Sequence, residues 1–143
     1  MYYVPQMRQK CRNGVEQMKK ILALLGLGCL GTPTADESVV TRELLENVAS
    51  IQQAQLDLLV LGEFTACDDE TVALSQTSLE AREWTPSKCW SDIGWAPSAA
   101  VHGGYWVEVH GDDFIVTGIG PDLSGTPRLR VTATKTQAAK VTP

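Results

Sequence analysis

From residue 103 onward apolar and polar positions alternate. In Gly103-Gly-Tyr-Trp-Val-Glu-Val-His110, the side chains of Tyr105, Val107 and Val109 share one face, as the two-residue repeat of a strand requires. Asp113-Phe-Ile-Val-Thr-Gly-Ile119 and Arg128-Leu-Arg-Val-Thr-Ala-Thr134 continue the alternation, and Gly111-Asp-Asp113 and a Gly/Pro/Asp loop separate the three runs. The pattern predicts an antiparallel β-meander of three to four strands. Phe114, Val116, Leu129, Val131 and Ala133 join the first apolar set, whereas Trp106, Glu108, Ile115, Thr117, Arg128, Arg130 and Thr132 fall opposite. One apolar face and one mixed face suits a sheet covered by a single helix. Trp106 and Ile115 are the exceptions on the mixed face, and the loop from Trp84 to Pro97 is expected to cover them.

The covering helix is predicted over roughly Asp36 to Leu61. Val40, Leu44, Val48, Ile51 and Leu58 recur at helical spacing, and Leu45, Leu56 and Leu59 widen the stripe. Thr34-Ala-Asp-Glu37 has the form of a capping box, and Gly62 is placed to stop the helix. Leu58-Leu-Val-Leu61 is apolar on every side, which demands deep burial or a partner. The stripe itself needs no partner, because a helix lying on its own sheet requires one apolar face. These elements make an α+β fold, a long N-terminal helix packed on the meander.

Between helix and sheet the pattern is mixed. Asp68-Asp-Glu70 reads as a solvated turn, and Leu74 to Trp84 has room for a short helix. Thr85-Pro-Ser-Lys-Cys-Trp90 and Trp95-Ala-Pro-Ser98 read as loops. All four tryptophans, Trp84, Trp90, Trp95 and Trp106, fall in this stretch and its immediate sequel. They are the candidate partner-binding residues.

At the other end, Met18-Lys-Lys20 precedes the short apolar run Ile21-Leu-Ala-Leu-Leu-Gly-Leu-Gly28, the layout of a secretory signal peptide. The run is about half the length of a membrane span, which needs about 20 residues. Cys29 follows Gly28 as the cysteine of a bacterial lipobox follows a small residue, although Gly26 stands where leucine is expected. The chain therefore divides into a leader, residues 1–30, with 1–17 read as upstream of the true start, and a globular domain, residues 31–143. A buried hydrophobic helix of an intracellular protein is the alternative reading of the apolar run.

Four cysteines are present. With Cys11 outside the mature chain and Cys29 lipidated or removed, Cys67 and Cys89 remain as an even pair, and export favours a disulfide between them. Two buried free thiols are the alternative. The spacing does not suit zinc.

The 143-residue length suits one domain. Seventeen acidic against twelve basic residues give a net charge of -5, which excludes a nucleic-acid footprint of clustered lysine and arginine. For catalysis, His102 or His110 with Asp112 and Asp113, or Cys89 as nucleophile, are the available groups. No motif supplies a nucleophile with a base and an orienting third group. The loop at Asp122 has too little acid left to hold calcium. No enzyme activity and no cofactor are expected.

The order Gly62-Glu-Phe-Thr-Ala-Cys67, Ile93-Gly-Trp-Ala-Pro97, Gly103-Gly-Tyr-Trp-Val-Glu-Val109, Asp113-Phe-Ile-Val-Thr-Gly118 and Val131-Thr-Ala-Thr-Lys135 resembles the globular domain of type IV pilins and pilin-like proteins, especially the deltaproteobacterial kind. The likeness runs from about Val39 to Thr142. It departs from the family at Gly120-Pro-Asp-Leu-Ser-Gly-Thr126, where an Asp-rich turn is usual, and in lacking the pilin N-terminal signature. The resemblance implies a non-enzymatic, exported structural or adhesive protein of the outer membrane, periplasm or cell surface. Its partners would be components of a pilus or of a type II-like secretion system, and its membrane contact a lipid on Cys29. Two rival readings stand beside it. One is a true filament subunit with a mis-assigned N-terminus. The other is a small periplasmic binding module using the tryptophan cluster.

The leader reading predicts that protein isolated from its native host has a mass beginning at lipid-modified Cys29. Intact-mass spectrometry checks this, and an unprocessed chain starting at Met1 in the cytoplasm is the contrary result.

Overall fold

Asp36 opens the long helix. Its backbone is extended and its Oδ1 accepts the amide of Ser38 at 2.8 Å, so the cap is Asp36 rather than Thr34. Thr34, Cys29 and the whole leader lie outside residues 36–143, which are those the computed structural model describes. Helix α1, Glu37–Leu59, buries Val40, Leu44, Val48, Ile51 and Gln55 along one face, while Arg42, Glu46, Gln53 and Asp57 face water. Gln55 is the polar member of this face, between Ile51 and Leu58, and Leu58 is partly buried against the core. The Gln55 amide is satisfied in both directions by Thr65, donating to the carbonyl at 2.8 Å and accepting the amide at 3.0 Å. Gly62 ends the helix with φ +109° and donates to the carbonyls of Leu58 and Leu59.

Four strands form one antiparallel sheet in sequential order: β1 Gly104–His110, β2 Asp113–Pro121, β3 Pro127–Thr134 and β4 Lys140–Thr142. The two residues between β1 and β2 form a tight hairpin with Gly111 at φ +62°, the left-handed backbone that primed turns require. The last strand, three residues long, pairs Val141 with Val131 and was not separately marked by the alternation.

α1 lies on β2 and β3. It approaches β2 so closely that a Cβ on Gly118 would stand 2.8 Å from Val48 Cγ2, and one on Gly120 2.5 Å from Val40 Cγ1. Tyr105, Val107, Phe114, Val116, Val131 and Ala133 complete this inner core, as the alternation predicts.

The intervening segment adds two short helices not placed by the sequence. α2, Glu70–Ser75, starts at Asp69, whose Oδ1 accepts the Val72 amide at 2.9 Å, so part of the expected solvated turn is a cap. α3, Lys88–Ile93, replaces the expected loop and stops at Gly94 with φ +75°. The cover of the outer sheet face also differs from expectation. Trp106 and Ile119 are buried there by Ala73 of α2, whereas Trp84, Trp90, Ile93 and Trp95 join the inner core beside α1. The segment thus passes the β1 edge and contributes to both faces.

A Cβ on Gly104 would collide with the backbone of Ala73. Gly104→Ala is expected to lower the unfolding free energy by about 2 kcal/mol and to loosen α2, since backbone cannot give way as a side-chain tip does. Denaturant unfolding followed by circular dichroism, with amide hydrogen exchange across residues 70–75, checks both effects. Unchanged stability would contradict this packing.

Candidate functional site

The tryptophans expected to meet a partner are largely turned inward. Trp90, Trp95 and Trp106 are 0%, 7% and 4% exposed, and Trp84 is half-buried. Trp84, Trp90, Trp95 and Tyr105 make an aromatic wedge with edge-type or tilted contacts between centroids 5.1 to 6.2 Å apart. Such pairs add about 0.5–1.5 kcal/mol each beyond burial. Trp95 Nε1 donates to Ser50 Oγ at 2.7 Å, tying the wedge to α1. Trp106 stands apart on the outer face under the Arg130 guanidinium, which also pairs with Glu70 of α2.

The cysteine pair is bonded. Cys67 and Cys89 form a disulfide across 22 residues, worth about 3 kcal/mol on the loop-entropy estimate. Asp68 sits beside it with φ +52°. Its Oδ2 accepts Trp90 Nε1 at 2.8 Å and its Oδ1 accepts Ser87 Oγ at 3.0 Å. Cys67, Asp68 and Cys89 bring three metal-type donors within 4.8 Å, but the two sulfurs are spent on each other. The same bond removes Cys89 as a nucleophile.

Of the acid–base candidates, His102 has a partly buried carboxylate partner, which the sequence did not identify. Glu43, on the flank of α1, receives His102 Nδ1 at 2.7 Å, the amides of His102 and Gly103 at 2.9 and 3.0 Å, and Tyr105 OH at 3.0 Å. Asn47 Nδ2 donates to the same phenol at 2.9 Å. A carboxylate engaged by two backbone amides is a clamp between helix and sheet. Glu43 was missed because it reads as one more solvated acid; its place beside Leu44, one turn before Asn47, was the available signal. Burial, followed by the Glu43 charge, raises the Tyr105 phenol well above its ordinary range. Burial likewise lowers the Arg82 guanidinium. That group donates to the carbonyls of Gln76 and Gly103.

The remaining candidates are not brought together. His110 is exposed, 3.9 Å from exposed Glu108, and strand β1 separates it from His102. Asp113 Oδ1 accepts the amides of Phe114 and Lys135 at 2.8 and 3.1 Å, fastening the hairpin to the chain after β3. Asp122 Oδ1 accepts Ser124 N, Ser124 Oγ and Thr126 N. Those bonds, the Ser124 side chain first, depress its carboxyl below the usual range and commit the oxygen to its own turn.

The apolar helix end resolves in favour of exposure. Leu58 is half-buried, but Leu59, Val60 and Leu61 are 42%, 87% and 83% exposed. Beside them lies a depression of about 390 Å³ lined by Leu59, Gly62, Glu63, Phe64, Val109, Gly111 and Asp112. Phe64 is held edge-on against Phe114, with centroids 4.8 Å apart, so the floor belongs to the core. Among the described residues, Leu59 to Leu61 form a run of three consecutive exposed aliphatic side chains.

No family model, curated protein or solved structure matches the chain.

Tyr105 predicts an alkaline limit. Its folded-state pKa is raised above the unfolded value near 10. Its stabilisation is therefore complete below that pH and is lost as pH rises toward the folded value, because only the unfolded chain ionises freely. Urea midpoints between about pH 8 and 11 should fall for the native chain. Tyr105→Phe should flatten that fall. An equal fall in both would remove Tyr105 as its source.

Proposed function

We propose that this chain is an exported, non-catalytic structural or adhesive module of the pilin-like kind, tethered through lipid on Cys29 and serving as an accessory to a pilus or type II-like secretion system. The observation that carries the reading is the Cys67–Cys89 disulfide. It is at home in an oxidising compartment, and it anchors the chain that leaves the long helix to the segment before the sheet.

Further support comes from the division between buried and exposed chemistry. The polar cluster at Glu43 is engaged in holding helix to strand, and the aromatic wedge is largely internal. What faces outward is an aliphatic helix end, Leu59 to Leu61. A module that acts by contact needs such a surface, whereas hydrolytic or transfer chemistry needs an accessible nucleophile and base. The α+β arrangement, one long helix on a four-stranded antiparallel meander, agrees with the resemblance in the sequence.

The accessory role predicts that the protein fractionates with membranes or the cell surface of its native host and is a minor component of purified surface filaments. Fractionation, microscopy and mass spectrometry of sheared filaments check this. Filaments composed mainly of this chain would instead make it the principal subunit, and a cytoplasmic pool with reduced Cys67 and Cys89 would remove the export reading.

A further inference from the structure

Three consecutive aliphatic residues in water at the end of α1 call for an occupant, and the electrostatics beside them select its charge. The floor of the adjoining depression is apolar: Leu59, Phe64 and Val109. Two carboxylates stand at its rim, Glu63 and Asp112, both exposed. The last turn of α1 contains no basic residue, so the partial negative charge of the helix C-terminus is not offset there. Asp57, in the same turn, adds a further acidic side chain and accepts Gln53 Nε2 at 2.9 Å. The opposing cation is Lys135, whose Nζ donates to the Asp112 carbonyl at 3.0 Å and lies 5.8 Å from the Phe64 ring centroid. Carboxylates and helix end outweigh that lysine.

The site is also held in shape before anything binds. Thr65 is paired in both directions with Gln55, Cys67 is bridged to Cys89, and Cys67 exchanges backbone hydrogen bonds with Val107 at 3.1 and 2.8 Å. The strap from Gly62 to Cys67 is therefore fixed at both ends, which lowers the ordering cost of binding. A volume of about 390 Å³ is at the small end for ligand clefts and suits one or two aliphatic side chains.

We propose that this depression docks an aliphatic segment of a partner protein that carries a lysine or arginine next to its apolar side chains. The aliphatic group packs on Leu59, Phe64 and Val109, with Val60 and Leu61 extending the apolar contact. The cation pairs with Glu63 or Asp112 at the helix end. This inference names the contact surface of the assembly module and so rests on that reading, although its test does not.

The probes are two synthetic peptides, acetyl-Lys-Leu-Val-Leu-Lys-amide and its counterpart with glutamate at both lysine positions. They are titrated into the full disulfide-bonded chain and followed by calorimetry and amide NMR. The cationic peptide is expected to bind saturably, about tenfold or more tighter than the acidic one. Its shifts should centre on residues 59–64 and 109–112. Glu63→Gln with Asp112→Asn should reduce the preference for the cationic peptide severalfold, leaving the smaller part due to the helix end. Val60→Ser with Leu61→Ser should weaken both peptides while leaving the fold intact, since both residues already face water. Equal affinity for the two peptides, no saturation by about 1 mM, or shifts elsewhere would overturn the proposal. So would concentration-dependent self-association removed by the Val60 and Leu61 substitutions, which would give the site to a second copy. An exported, lipidated chain that binds neither peptide would lose this site but keep the assembly reading. Charge-selective binding by a cytoplasmic chain would do the reverse.

Discussion

The close approach of α1 to β2 sets the rest of the structure. Helix side chains at Val40 and Val48 occupy the space where Gly120 and Gly118 have no Cβ. This brings the helix near enough for Glu43 to accept the amides of His102 and Gly103 directly. It also places Tyr105, opposite Gly118 on β1, where its ring packs against the aromatic wedge and its hydroxyl reaches Glu43 and Asn47. A methyl group at either glycine would crowd a valine of the helix and force that side chain to shift.

The same approach decides which polar groups are held inside. Gln55 and Glu43 are exceptions to an otherwise aliphatic helix stripe, and both meet backbone groups that have no strand partner. Gln55 supplies a surrogate partner to Thr65 in the strap, while Glu43 supplies one to the chain entering β1. Each offsets its own desolvation with two or more hydrogen bonds, the condition under which a buried polar side chain is stabilising. Packing alone would align helix and sheet; these bonds fix their register.

The alternation of residues 103–134 made the sheet legible, and the helical spacing of Val40, Leu44, Val48 and Ile51 did the same for α1, because both patterns repeat over enough residues to be unambiguous. The short helices were not legible. Six residues cannot display a period, and α2 and α3 are held by Asp69, by Gly94 and by tertiary contact rather than by pattern. The cover of Trp106 was misplaced for the same reason: nothing local says that the chain passes α2 across the outer face before returning to the inner one. The depression at the helix end was half legible. Leu58-Leu-Val-Leu61 announced an apolar problem, but the acids that give it a sign, Glu63 and Asp112, come together only in three dimensions.

The path of the segment between Cys67 and Cys89 makes the sheet directional. Cys67 occupies the outward hydrogen-bonding groups of Val107, and the disulfide locks that cover in place, so the β1 border is closed to another strand at its centre. The opposite border is β4, three residues long and backed by no further strand among the described residues. Lateral growth of the sheet by strand addition is therefore blocked on one side by a covalent bond and left open on the other. Any chain added through backbone pairing meets a surface with a single growing end.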